Sequence, residues 1–204
     1  SDIETTHPNT WGEKNGFGIA NMIDGKGASG NWGITDEHKD YQNKPISITL
    51  TFDKTYKVSK ACLYAVADGG FPEDFVLEAY TKGGWKTVVS KSGYAAEAGE
   101  QSFEFDAIDC RMFRLAATKN GATKNKTKEG ETQYAIFLRE FEVYGETSSE
   151  VIEVPTPPAS GDEQKPPISE GGEVPPSGDS RINVAVTSEI KTTHPNTWGE
   201  NNGF

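Results

Sequence analysis

Cysteine is scarce in this chain. The 204 residues hold only Cys62 and Cys110, too few for a disulfide framework, and their spacing matches no metal knuckle. Each lies in or beside an apolar, strand-like run. Two readings stay open for them, buried free thiols or one bridge between neighbouring strands. Histidine is scarce too. Of three residues, His7 and His194 hold the same place in two copies of one segment, so no histidine metal cluster forms. No apolar run approaches the roughly 18–20 residues of a helical membrane span. No stretch gathers lysine and arginine into a footprint for nucleic acid. No Gly-rich phosphate loop follows a strand and opens a helix, and no pair of carboxylates sits where a perturbed pKa is expected. A catalytic constellation is therefore not expected. There is no recognisable leader and no initiating Met, so the sequence reads as part of a longer protein.

What is present is glycine (22), proline (11) and a hydrophobic share of only 34%, the composition of a loop-rich β protein. The net charge of −11 is uneven. Residues 146–180 carry eight acids and one lysine, or −7; residues 181–204 sum to zero, which leaves −4 for residues 1–145. The acidic stretch, VPTPPASGDEQKPPISEGGEVPPSGDS and its flanks, is proline-rich and almost free of aromatics. It cannot bury enough apolar area to offset the entropy of ordering, and it reads as an extended interdomain linker.

One segment occurs twice. Residues 1–17, SDIETTHPNTWGEKNGF, return as residues 188–204, SEIKTTHPNTWGENNGF, at a constant offset of 187. Only Asp2/Glu189, Glu4/Lys191 and Lys14/Asn201 differ. This is the mark of a tandem repeat. Ahead of the second copy stands RINVAVT (181–187), alternating apolar and polar residues like a strand, with no counterpart ahead of the first. Three parts follow: a domain over 1–145 lacking its first strand, a linker over 146–180, and the start of the next repeat over 181–204. The expectation is that Ile182–Thr187 completes the sandwich, within the chain or between chains.

Residues 5–45 predict long ordered loops, with one helical turn near Phe17–Ile23. Strands are predicted at Ile46–Phe52, Val58–Val66, Asp74–Tyr80, Trp85–Val89 after a Lys82-Gly83-Gly84 hairpin turn, Ser102–Phe105, Met112–Thr118 and Tyr134–Tyr144. Short strands with turns between them argue for an antiparallel sandwich.

Six stretches, in order, carry a family resemblance. NMIDGKGASGNW (21–32) resembles the A-I-D-G … T-x-W loop of discoidin, or coagulation factor 5/8 type C, domains. Ile48–Leu63 is similar to their V-D-L-G-x-x-Y-x-V-S-K-V-x-L strand pair, and FPEDFVLEAYTKGGWKTV (71–88) to their P-x-D-F … D-G-x-x-W stretch. Arg111–Leu115, LREFEVYG (138–145) and INVAVTS (182–188) resemble further family strands. The resemblance implies an all-β, galactose-binding-like jelly roll of about eight strands. Bacterial members often serve as carbohydrate-binding modules of secreted or surface proteins.

The same resemblance implies a structural Ca²⁺, held by the Asp24 carboxylate, Ser29, backbone oxygens near Asn21 and Lys26, and Glu140. Hard oxygen donors suit that ion. The competing reading is an Asx-turn at Asp24 and an ion pair at Glu140. A sugar needs an aromatic plate for its C–H face and polar groups for its hydroxyls. The loop aromatics His7, Trp11, Trp32, His38, Tyr41, Phe71 and Tyr134 are the candidates, against packing under long loops. Galactose-type members carry an Arg after the second strand, where this chain reads Ala65-Val66-Ala67-Asp68. Lys119–Lys128, with four lysines, is a solvated loop or the wall of an acidic-sugar site. These features predict a non-catalytic, extracellular or cell-surface glycan-binding module in a tandem array. The alternative is a structural or adhesive spacer.

Overall fold

The computed structural model describes residues 1–155 and the short strand at 182–183. The rest of the linker and of the second repeat start, including 184–187, lies outside the described residues.

Nine strands belong to the described domain: β1 (Asp2–Thr5), β2 (Gly33–Ile34), β3 (Ile46–Ala65), β4 (Asp74–Thr81), β5 (Gly84–Lys91), β6 (Gly99–Lys119), β7 (Ala122–Lys126), β8 (Thr132–Tyr134) and β9 (Phe137–Thr147). β10 (Ile182–Asn183) is the tenth. One five-residue helix, α1 (Thr10–Lys14), and three 3-10 turns interrupt the long loops.

All pairings are antiparallel. β3 and β6 are each long enough to serve both layers. The first part of β3 pairs with β1 and with the last part of β6, while β4 and β5 extend that layer. The remainder of β3 pairs with the first part of β6 and with β9. Register shifts between Thr51 and Tyr56 and between Val58 and Lys60 mark where the pair bends. A bulge lets a strand change direction while most of its ladder bonds persist. The two expected strands Ile46–Phe52 and Val58–Val66 are thus one continuous strand, and so are Ser102–Phe105 and Met112–Thr118. No turn residue breaks either one, because the chain bends between layers without reversing.

Alternation builds the core. In β4, Phe75, Leu77 and Ala79 are buried while Val76, Glu78 and Tyr80 face outward. Leu50, Leu77, Phe113 and Leu115 from one layer meet Leu63, Phe103, Phe141 and Val143 from the other. Phe113 and Phe141 are fully buried and touch ring edge to ring face at 6.2 Å. The outer face has its own clamp. The Arg114 guanidinium lies 4.0 Å from the centre of the Trp85 ring and pairs with Glu78 at 2.6 Å.

β1 was not anticipated. Its four residues, with Ile3 opposite Leu50, are too short to stand out by periodicity. Order also continues past Gly145. Glu146 and Thr147 pair with Lys57 and Tyr56, and Ile152 is buried with its N–H donating to Thr55 Oγ1 at 3.1 Å. β10 lies against the far edge of β9, Ile182 opposite Gly145 and Asn183 opposite Tyr144.

Cys62 and Cys110 are both buried and unbridged. Burial pushes the Cys62 thiol up to about 11, with the Glu100 carboxylate it faces adding to the effect, and the Cys110 thiol up to about 12. Thiolate is the reactive form. Neither thiol should react with an aromatic disulfide reagent at pH 8 in the native protein, and two should react in guanidinium. Prompt labelling of either one in the native state would contradict this packing.

Candidate functional site

The duplicated segment folds into the first piece of the site. Asn9 caps α1, its Oδ1 accepting the Gly12 N–H at 2.7 Å. Its Nδ2 donates to the Thr35 carbonyl at 3.1 Å, which fastens the helix to the sandwich. Gly12 is required by close approach, since a Cβ there would sit 2.8 Å from Ile34 Cγ1. α1 lifts Trp11 into solvent, 61% exposed. The Trp11 ring stacks on Phe17 at 5.9 Å with the planes 7° apart, and Phe17 leans on Trp32 at 5.1 Å. Phe17 and Trp32 rest on a small buried cluster of Ile34, Val66, Ala135 and Phe137. The three rings border a cleft of about 310 Å³, with Ile34, Phe137, Asp68 and Asn125 completing its walls.

The polar wall comes from the loop after β3 and from β7. Gly69 and Thr123 form an isolated β-bridge, and the Lys124 N–H donates to the Asp68 carbonyl at 2.8 Å. Gly69 and Gly70 make this possible with φ of 82° and 77°. A Cβ on Gly69 would lie 2.3 Å from the Ala122 carbonyl oxygen. Asn125 Nδ2 donates to Glu37 Oε2 at 3.0 Å, and the Thr123 hydroxyl donates to the other Glu37 oxygen. The lysines of this loop do not form a wall of the cleft. Lys119 pairs with Glu73 at 2.6 Å, Lys126 donates to Thr132 Oγ1, and Lys124 lies 3.8 Å from Asp68.

Of the residues predicted for a ligand, Trp11 and Trp32 belong to this cleft. Four others form a separate group. His7 meets Tyr41 edge-on at 5.4 Å, His38 meets Tyr41 at 5.2 Å, and His38 and Tyr134 exchange backbone hydrogen bonds. Tyr41 donates its hydroxyl to Asp36 at 3.1 Å. Burial raises its pKa, and the Asp36 bond raises it further. Burial also lowers the pKa of His7, with Lys44 adding to the shift. Asn120, fully buried, holds this loop through bonds from Nδ2 to the Tyr41 and Lys44 carbonyls at 2.6 and 2.7 Å. Phe71 is a correction. It packs in the core against Phe75 and Tyr94, because the chain turns it inward ahead of β4.

Phe17, Asp68 and Asn125 were missed. Phe17 carried a signal, as the last residue of the duplicated segment. Asn125 lies in the Lys119–Lys128 loop, read as solvated or as one wall of an acidic-sugar site, but its pairing with Asp68 carried no signal, since only a tertiary bridge brings the two together.

The predicted metal loop is compact. Glu140, fully buried on β9, accepts the Gly25 N–H at 3.2 Å and the Gly27 N–H at 2.9 Å. Burial raises its pKa, the two N–H groups oppose that, and nearby Asp24 raises it further. Asp24 itself accepts the Lys26 N–H at 3.0 Å and pairs with the Lys26 ammonium at 2.8 Å. Ser29 Oγ donates to the Lys26 carbonyl at 2.7 Å. Asn21 uses Nδ2 to hold the Gly16 and Trp32 carbonyls. Among the described residues no group of three or more His, Cys, Asp or Glu side chains is placed to hold a metal, so a cation here would need main-chain oxygens as well.

A larger hollow of about 400 Å³ lies where β3 meets β9, lined by Lys57, Lys60, Tyr144 and Glu146 among others. It offers one aromatic ring and no plate.

Comparison with known proteins bears on this architecture. Chitosan-binding module 1 of a chitosanase/glucanase from Paenibacillus sp. IK-5 is 18% identical with a TM-score of 0.51, covering 71% of this chain and 94% of its own. The family 32 carbohydrate-binding module of NanJ from C. perfringens, solved with galactose, is 18% identical with a TM-score of 0.51, at 70% and 91% coverage. A fragment of a chitobiase-like protein from Bacteroides thetaiotaomicron is 16% identical with a TM-score of 0.54, at 73% and 89% coverage. At such identities the likeness is one of fold, a galactose-binding-like β-sandwich. No curated protein matches the sequence. The model of the F5/8 type C domain matches residues 3–130. That span is more than half of the chain and takes in the Asp24 loop and every cleft residue but Phe137, and the chain belongs to the F5/8 type C domain family.

Proposed function

We propose that this chain is a non-catalytic carbohydrate-binding module of a secreted or cell-surface protein, one unit of a tandem array. The observation that carries it is the stack of Trp11, Phe17 and Trp32 beside the acceptors of Asp68 and Asn125. Flat rings suit the C–H face of a pyranose, and oxygen acceptors suit its hydroxyls. The family and the glycan-binding modules among the structural neighbours support this reading. A spacer alone has no need to hold a tryptophan open to solvent. Saturable tryptophan fluorescence changes against a panel of oligosaccharides are expected, with Trp11→Ala weakening the bound sugar about tenfold or more. A flat response to every sugar would overturn the reading.

The proposal includes a structural calcium ion at the Asp24 loop. The donors are all oxygens, and among the described residues the buried Glu140 carboxylate forms no ion pair, its charged neighbour Asp24 being the one that Lys26 pairs with. Bound there, the ion would offset that charge and brace the loop that ends in Trp32. Extracellular modules bind calcium at about 10⁻⁴–10⁻³ M. Calcium at a hundredfold excess over Kd should stabilise the protein by about 2.7 kcal/mol. The melting temperature should rise accordingly, and Glu140→Gln should lose that response. A melting temperature indifferent to calcium would remove the ion from the proposal.

The repeat organisation also enters here. Ile182–Asn183 sits on the far edge of β9, and the proposal is that Ile182–Thr187 closes that edge, within one chain or by exchange with a neighbouring repeat. Asn183→Cys combined with Tyr144→Cys places two thiols opposite each other. Under mild oxidation, a cross-linked monomer means closure in cis and a cross-linked dimer means exchange. No cross-link at all would refute the pairing.

A further inference from the structure

We infer that the place of residues 1–17 in the sandwich is shared, and that residues 188–204 of the same chain exchange with them there. Trp198 and Phe204 then complete the cleft in place of Trp11 and Phe17. The exchange holds whatever the cleft binds.

What docks the first copy is identical in the second. Ile3 lies opposite Leu50 and packs against the core. Thr5 Oγ1 donates to the Ser47 carbonyl at 2.9 Å, and Thr6 Oγ1 accepts the Ser47 N–H at 3.0 Å. The Asp36 N–H donates to the His7 carbonyl at 2.8 Å. Asn9 fixes α1, and Gly12 admits it against Ile34. Each of these docking residues of the first copy recurs 187 positions on, between Ile190 and Phe204. The three residues that differ, Asp2, Glu4 and Lys14, are all exposed. Two of the three changes have a sign. Lys14 stands in the last turn of α1, where a cation is favoured over the Asn201 of the second copy. Glu4 shares a row with Thr49 and Arg114 across β1, β3 and β6, where an acid is favoured over Lys191. Together they favour the first copy by about four- to tenfold. A preference of that size leaves about a tenth to a fifth of molecules in the other arrangement. A Trp11→Ala chain keeps a complete cleft only in that minor share, which sets its loss of affinity at about the tenfold expected above.

Position favours exchange within one chain. β3 bends between Thr51 and Tyr56. Asp2 lies opposite Thr51 on one side of that bend, and Gly145 lies opposite Val58 on the other. Ile182 lies opposite Gly145, so β10 brings the second copy to the end of the sandwich where β1 begins. The chain from Asn183 to Ser188 spans up to about 18 Å when extended. Tethered there, the second copy competes at the high effective concentration of a short linker, with no second molecule required.

The test combines Glu4→Cys, Thr49→Cys and Lys191→Cys in the full chain, in a glutathione buffer that lets disulfides equilibrate. Glu4 and Thr49 stand directly opposite each other, at a Cα separation that a disulfide accepts. The native thiols are buried and stay out of the reaction. Peptide mapping of the monomer counts links between positions 4 and 49 against links between 191 and 49. The first kind reports a folded sandwich with the first copy docked. With the charge at position 4 removed from both copies, the Lys14 effect remains. The 191–49 link should then make up about a sixth to a third of the linked monomer. Adding Lys14→Asn with Asn201→Lys should reverse the preference. The 4–49 link alone, before and after that swap, would overturn the inference. So would a 191–49 link confined to cross-linked dimers, which would put the exchange between molecules, and so would the absence of both links.

Discussion

β3 and β6 run side by side through both layers, and the rest of the domain hangs from that pair. Neither strand could do this flat. A straight ladder would leave a single sheet with one face open to water. The register shifts near Thr51–Tyr56 and Val58–Lys60 let the pair bend, and the bend folds the sheet over its own apolar side. Phe113 and Phe141 then meet across the gap. Because the core is enclosed by one bent pair, the loops at the ends of β3 and β6 have fixed origins. Asp68 leaves from the end of β3 and Asn125 follows the end of β6, which is why two loops so far apart in sequence meet at one cleft.

A second constraint is electrical. Glu140 places a carboxylate in the interior, and burial raises its pKa. Its two hydrogen bonds reach back to Gly25 and Gly27, while its neighbour Arg139 donates to Gly30. Adjacent strand residues point to opposite faces, yet both side chains hold the same loop. That loop ends in Trp32, so the platform depends on the strand that closes the sandwich. A buried charge tolerated for the sake of positioning is expensive when unpaired. This is the physical reason to look for a cation at that point and not elsewhere.

The fold was legible in the sequence because period-2 alternation and turn glycines are local. Strands β4 and β5 and their Gly-Gly turn could be read almost residue for residue. The continuity of β3 and of β6 could not, since a bulge has no fixed residue signature. Trp11 was legible as a candidate through its duplication, and the same logic extends to Phe17, which sits at the end of that segment. Phe71 looked like a loop aromatic because a Gly-Gly turn precedes it, and only packing shows that it points inward. Asp68 and Asn125 were invisible as a pair, because their encounter is made by a bridge between Gly69 and Thr123, 54 residues apart.

The duplication also limits what a second copy can do alone. The repeated segment supplies Trp11 and Phe17, and it supplies the Asn9 cap that fixes them. It does not supply Trp32, the floor of Ile34, Val66, Ala135 and Phe137, or the acceptors of Asp68 and Asn125. In the proposed array, a repeat start would be a site only within a complete sandwich, so the number of binding sites would follow the number of complete sandwiches and not the number of TTHPNTWGE segments.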